Sequence, residues 1–100
     1  MIDLAKISGF DWDAGNARKN ERHGVSMAEA EQVFFNTPLL AVADSRHSER
    51  DARLHALGKT DGSRRLHVTF TLRDAGRKIR VISARDMHRK ERALYAQQTA

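Results

Sequence analysis

Between Leu66 and Arg73, apolar and polar residues alternate without a break. Leu66, Val68, Phe70 and Leu72 take one phase; His67, Thr69, Thr71 and Arg73 take the other. That period of two predicts a strand with one buried face. Asp74-Ala75-Gly76 follows as a tight turn, and Arg77 to Ala84 reads as the returning arm of a hairpin. In that arm Lys78 and Arg80 share one face, while Ile79 and Val81 share the other and fill the core. Upstream, Leu39 to Ala43 is a short apolar run, Asp44 to Asp51 a polar loop, and Ala52 to Leu57 a further strand. Lys59 to Arg64, around Asp61-Gly62, supplies its turn.

The period elsewhere is helical. Asp13 can start a helix whose polar body, AGNARKNER, ends at Gly24 as a left-handed cap. Ser26 and Glu29 have capping-box spacing, and the helix they open puts Met27, Ala30, Val33 and Phe34 on one face. Asn36-Thr37-Pro38 stops it. Asp86 is placed to cap a last helix from Met87 to about Gln98, with Met87, Glu91, Leu94 and Tyr95 facing one way. The pattern does not decide whether Gly9 to Trp12 adds an edge strand. The expectation is an α+β domain: two N-terminal helices, an antiparallel sheet of about four strands, and a C-terminal helix.

Composition narrows the class. One hundred residues with 40% apolar positions make a single domain over 1–100, with 1–8 read as a flexible N-terminal extension. Cys is absent, which excludes disulfides and thiolate metal sites and suits a cytoplasmic setting. The N-terminus carries no long apolar run, so no membrane association is expected.

Charge changes the picture most. The net charge is +5, and the stretch Arg77 to Arg92 holds seven Lys/Arg against two acids, which equals the whole imbalance. So concentrated a field attracts polyanions, nucleic acid first. Of the five His (23, 47, 55, 67 and 88), no pair has metalloprotease spacing, and no acidic cluster suggests a magnesium nuclease. No cofactor and no metal are therefore expected. His55 and His67 take the polar register of neighbouring strands and could meet there; a zinc site stays open as an alternative, though a hydrogen-bonded structural role is simpler for each. His88 lies beside the cations, and imidazole exchanges protons near neutral pH. Tyr95 can share a helix face with Glu91 and His88, with packing as its plainer role. Trp12 reads as an anchor between helices and sheet, with base stacking as the alternative.

Several stretches together resemble the BrnT family, the toxin half of a bacterial type II toxin–antitoxin pair. They are Phe10-Asp11-Trp12-Asp13, Asn16 and Lys19, His23-Gly24-Val25-Ser26, the loop His47 to Arg53, and Ile82-Ser83-Ala84-Arg85 with Glu91 and Tyr95. The resemblance runs from about Gly9 to Tyr95. It departs at Asn16, where many members carry Lys four residues after the Trp. The resemblance implies a RelE-like fold and metal-independent cleavage of RNA that halts translation. It also implies a cognate BrnA-like antitoxin, a toxin–antitoxin hetero-oligomer, and contact with operator DNA through the antitoxin alone.

In such chemistry the RNA 2′-OH is the nucleophile, and the protein must hold the backbone, offset developing charge and move protons. Arg85 and Arg80 are the expected electrostatic groups, and His88 the proton-transfer group, with Tyr95 or Glu49 as secondary candidates. Lys19, Arg53, Lys78 and Arg89 are expected phosphate contacts, and Glu91 an ion-pair partner that orients Arg85 or a neighbour. The rival expectation is a non-catalytic module whose 77–92 patch binds nucleic acid or an acidic protein.

Overall fold

The computed structural model describes residues 4–13, 15, 23–43 and 53–98. Five strands form one mixed sheet: β1 (Gly9–Phe10), β2 (Leu40–Ala43), β3 (Leu54–Lys59), β4 (Arg65–Arg73) and β5 (Lys78–Asp86). Their spatial order is β1-β5-β4-β3-β2. Among the described residues two α-helices are delimited, α1 (Met27–Val33) and α2 (Arg89–Gln98), with a short 3-10 turn at Leu4–Lys6. The α+β class is as expected. The sheet differs, because β1 adds a fifth strand, parallel to β5, through Gly9 opposite Lys78 and Phe10 opposite Ile79. Within the 1–8 stretch, Ile7 packs against the core and the Ser8 N–H donates to the Arg77 carbonyl at 2.7 Å. Most of the helix expected over Asp13 to Gly24 lies outside the described residues.

α1 begins as the Ser26/Glu29 spacing dictates, with both reciprocal capping-box bonds present. Ala30, Val33 and Phe34 are buried against the sheet, but Met27, in the first turn, is exposed. The face that α1 covers is built from Ala56, Leu66, Val68, Phe70, Ile79, Val81 and Ala84, together with Val25. Phe34 meets Phe70 edge-on at 4.9 Å between ring centroids, and Phe10 extends the cluster. Buried Gly58, in β3, lets α1 come this close. A Cβ there would lie 2.7 Å from Val33 Cγ1 and 3.3 Å from the Val33 carbonyl oxygen. Gly58→Ala should therefore cost about 1–3 kcal/mol through overpacking, read as a lower urea midpoint with an unchanged slope.

The β4–β5 hairpin carries the feature that positions the site. Its pairing runs Thr71–Arg80 and Phe70–Val81, then skips Ile82 to continue Thr69–Ser83, Val68–Ala84 and His67–Arg85. Ile82 is the extra residue of a β-bulge, and a bulge reverses the phase of everything beyond it. Ala84 thus joins Ile79 and Val81 in the core, while Ser83 and Arg85 join Lys78 and Arg80 on the opposite face. Without the bulge, strict alternation would have pushed Arg85 toward the core.

Several boundaries move for related reasons. β3 ends at Lys59 because its ladder with β4 continues to Lys59 opposite Arg65. β5 runs past the expected end at Ala84 to Asp86, so Arg85 pairs within the sheet. Asp86 caps no helix. Its carboxylate instead takes Arg64 Nε and Nη2 at 2.7 and 3.1 Å, while Arg64 also reaches Glu29 and the Gly24 carbonyl. That clamp ties the start of α1 to the end of β5.

Candidate functional site

The face opposite α1 collects the candidate chemistry. Reading the registers across it places His55 and Leu57 of β3, His67, Thr69 and Thr71 of β4, and Lys78, Arg80, Ser83 and Arg85 of β5 together. Helix α2 covers one end, where Leu57, Met87 and Tyr95 form a second small buried cluster with Leu40 against it.

Arg85 is held by a fork. Its Nη1 and Nη2 donate to Glu91 Oε1 and Oε2 at 2.8 and 2.9 Å, and Nη1 also donates to the Asp86 carbonyl at 3.0 Å. These bonds use three of a guanidinium's five N–H groups and fix its plane. Glu91 Oε1 also accepts from the His88 backbone N–H at 2.8 Å, the reach-back of a capping box at the head of α2. Burial pushes the Glu91 carboxyl up, but the Arg85 fork and the His88 N–H outweigh it and hold it at about 2. Glu91 is thus ionised throughout the physiological range, as an orienting partner for Arg85 should be.

Arg80 Nη2 donates to Asp11 Oδ2 at 2.8 Å, a partner supplied by the chain just after β1. Both cations face the same way. At about 3.3 Å per residue, their backbone positions lie roughly 15 Å apart, and each guanidinium is turned to its own acid, Arg80 to Asp11 and Arg85 to Glu91. Elsewhere in the basic stretch, Arg77 pairs with Asp74 at 3.0 Å, and Lys78 and Arg89 are exposed. The concentrated charge read from the sequence is therefore a spaced row, partly offset by the nearby Asp74 and Glu91 and by the distant Asp11.

The two histidines expected to meet do so. His55 Nδ1 lies 3.1 Å from His67 Nε2 and 3.1 Å from Thr69 Oγ1, with the rings stacked at 5.0 Å. His67 Nε2 is also 4.0 Å from Glu91 Oε2, which sets the imidazole pair beside the Arg85–Glu91 fork without a hydrogen bond between them. Sequence reasoning foresaw the His pair from its register, and it left Glu91 to orient Arg85 or a neighbour; the structure gives Arg85. It missed the proximity of the pair and the fork, which depends on the bulge. Among the described residues, no group of three or more His, Cys, Asp or Glu is placed to hold a metal ion.

Burial pushes the His67 imidazole down to about 4 from an ordinary 6.5, with Glu91 opposing and Arg85 assisting. The unfolded chain then binds a proton more readily than the folded one between those values. This stability term is intact above about pH 6.5 and is lost as pH falls toward 4. The expected loss is roughly 2 kcal/mol. Urea midpoints at pH 7 and pH 4.5 should therefore differ less in His67→Gln than in the parent chain.

The remaining candidates are placed as follows. His88 is exposed at the start of α2, and Arg53 is half-buried just before β3. Tyr95 is turned inward, 5% exposed, and its hydroxyl donates to the Pro38 carbonyl at 2.6 Å. That bond anchors α2 to the chain entering β2. Trp12 is half-buried against the core, and its indole N–H donates to Glu31 at 2.8 Å, an anchor rather than a stacking platform. Lys19, Glu49 and Asn16 lie outside the described residues.

Residues 12–91 match the family model described as the ribonuclease toxin, BrnT, of type II toxin–antitoxin systems. No curated protein sequence matches the chain. Among solved structures, the crystal structure of the Brucella abortus ribonuclease toxin BrnT is similar in fold. It has a TM-score of 0.56 and 24% identity, covering 81% of this chain and 97% of that one.

Proposed function

Because the chain belongs to the BrnT family of ribonuclease toxins of type II toxin–antitoxin systems, we propose that it cleaves RNA without a metal, using the sheet face that carries Arg85. The observation behind this is the fork by which Glu91 presents Arg85 beside the His55–His67 pair. A phosphate can meet the Arg85 N–H groups that Glu91 and Asp86 leave unused.

In this reading the 2′-OH attacks the adjacent phosphorus in line, the P–O5′ bond breaks, and a 2′,3′-cyclic phosphate remains. Arg85 stabilises the charge that builds on the non-bridging oxygens, since a fixed donor costs no reorganisation when that charge appears. Arg80, further along the face, grips another phosphate of the strand, beyond the adjacent one, with Lys78, Arg53, Arg89 and Lys19 as outer contacts. His88, beside Arg85 at the head of α2, is the proton-transfer candidate, and Glu49 the secondary one. Tyr95 drops from that role because its hydroxyl is buried on a backbone carbonyl.

The wider account is of a RelE-like toxin in the cytoplasm that halts translation. A BrnA-like antitoxin would neutralise it in a hetero-oligomer and contact operator DNA for the pair. An antitoxin that lays acidic residues on Arg85 and Arg80 would inhibit by occupation. Induced expression should arrest growth and protein synthesis, and co-expression of the antitoxin should restore both. Undisturbed growth at high expression would contradict the proposal.

A further inference from the structure

Beside the Arg85–Glu91 fork, the same face opens into a groove of about 860 Å³ between β2, β3 and the far end of α2. Its walls are apolar, with Leu40, Val42 and Leu94 among them, whereas His55, His67 and Glu91 supply polar groups. Val42 is 63% exposed and Leu94 46% exposed, so large apolar side chains stand open to solvent around a concavity. Exposed apolar surface in a concave site with a few converging polar groups is the usual form of a small-ligand pocket.

The groove is continuous with the cationic site. Glu91 belongs to both, and His67, on its border, is the cross-strand neighbour of Arg85. A ligand that reaches the groove from Arg85 must carry a phosphate at one end. At the other, a group with apolar faces and a hydrogen-bonding edge matches the lining. An unpaired nucleobase has that form: its faces rest on aliphatic or imidazole surfaces while its edge meets polar side chains.

We infer that this groove is a nucleobase subsite, which receives the base of the nucleotide whose phosphate rests on Arg85 and lets the enzyme prefer some bases over others. The inference rests on the RNA-cleavage reading of the same face. The apolar walls give affinity for any base, and the His55–His67 edge with Glu91 gives the discrimination. An acidic protein segment is the less favoured occupant, because among the described residues the groove's lining contributes a carboxylate and no Lys or Arg.

The test uses the full chain, titrated by NMR with the four ribonucleoside 5′-monophosphates and with ribose 5-phosphate. At least one nucleotide should bind about tenfold more tightly than ribose 5-phosphate, the worth of one base-stacking contact. It should also shift the Val42 and Leu94 methyl signals. Val42→Asp, a change at an exposed position, should erase that tenfold difference while ribose 5-phosphate binds as before. Equal binding of nucleotides and ribose 5-phosphate with still methyls overturns the subsite but leaves the phosphate role of Arg85 standing. Nucleotide binding indifferent to Val42→Asp overturns it too. So does a Val42→Asp protein that keeps every nucleotide contact but no longer binds its antitoxin, since the groove would then be a protein-docking surface. Failure of the parent chain to cleave RNA at all is a separate result, and it removes the underlying reading instead.

Discussion

Arg85→Ala is expected to lower the rate of RNA cleavage about a hundredfold, the usual effect of removing one fixed donor to a developing oxyanion. The expectation follows from how the side chain is held. Three hydrogen bonds to Glu91 and the Asp86 carbonyl fix the guanidinium on the face opposite the main core. Its orientation therefore exists before substrate arrives. Arg85→Lys keeps the charge and loses the fork, so it should retain an intermediate rate. Alanine also leaves Glu91 without its cation. Since the pair is about a quarter exposed, the expected stability loss is on the order of 1–2 kcal/mol. Circular dichroism and a melting curve on each variant separate that loss from the loss of rate. Arg85→Ala with full activity and an intact fold would remove Arg85 from the mechanism.

The largest effect on stability is expected from Phe70→Ala, at about 3–5 kcal/mol. Phe70 is fully buried, edge-on to Phe34 from α1, and it pairs with Val81 immediately before the bulge. It joins three elements at the point where β5 changes phase. With stability in the usual range of roughly 5–15 kcal/mol, such a loss could leave a substantial unfolded fraction at growth temperature. Phe35→Ala is the control: its ring is 73% exposed, and its loss should cost under about 1 kcal/mol. Urea titration of both variants checks the contrast, and similar midpoints would mean that the core is not where the structure puts it.

Much of this fold is written locally. Leu66 to Arg73 reveals itself by alternation, and Ser26 with Glu29 announces the start of α1, because each signal lies within a few residues. His55 and His67 were legible as a pair for the same reason, since both take the outward phase of adjacent strands. What escaped the sequence depends on distant partners. β1 is two residues long and pairs with a strand nearly seventy residues away, so its periodicity cannot show. Asp11 on Arg80 and Asp86 on Arg64 are likewise set by the completed sheet. The bulge at Ile82 was the costliest omission. A single unpaired residue carries no compositional mark, yet it decides whether Arg85 meets solvent or core. The basic stretch was visible as a charge, but not as a row whose members already hold acids.

The central claim is that fixed guanidinium groups on this face promote attack by RNA's own 2′-OH. Its most direct test is incubation of the purified chain with RNA in excess EDTA, followed by analysis of the product ends. The account predicts undiminished cleavage with 2′,3′-cyclic phosphate and 5′-hydroxyl termini. Cleavage abolished by EDTA and restored by a divalent ion, or RNA bound without any broken bond, would contradict it.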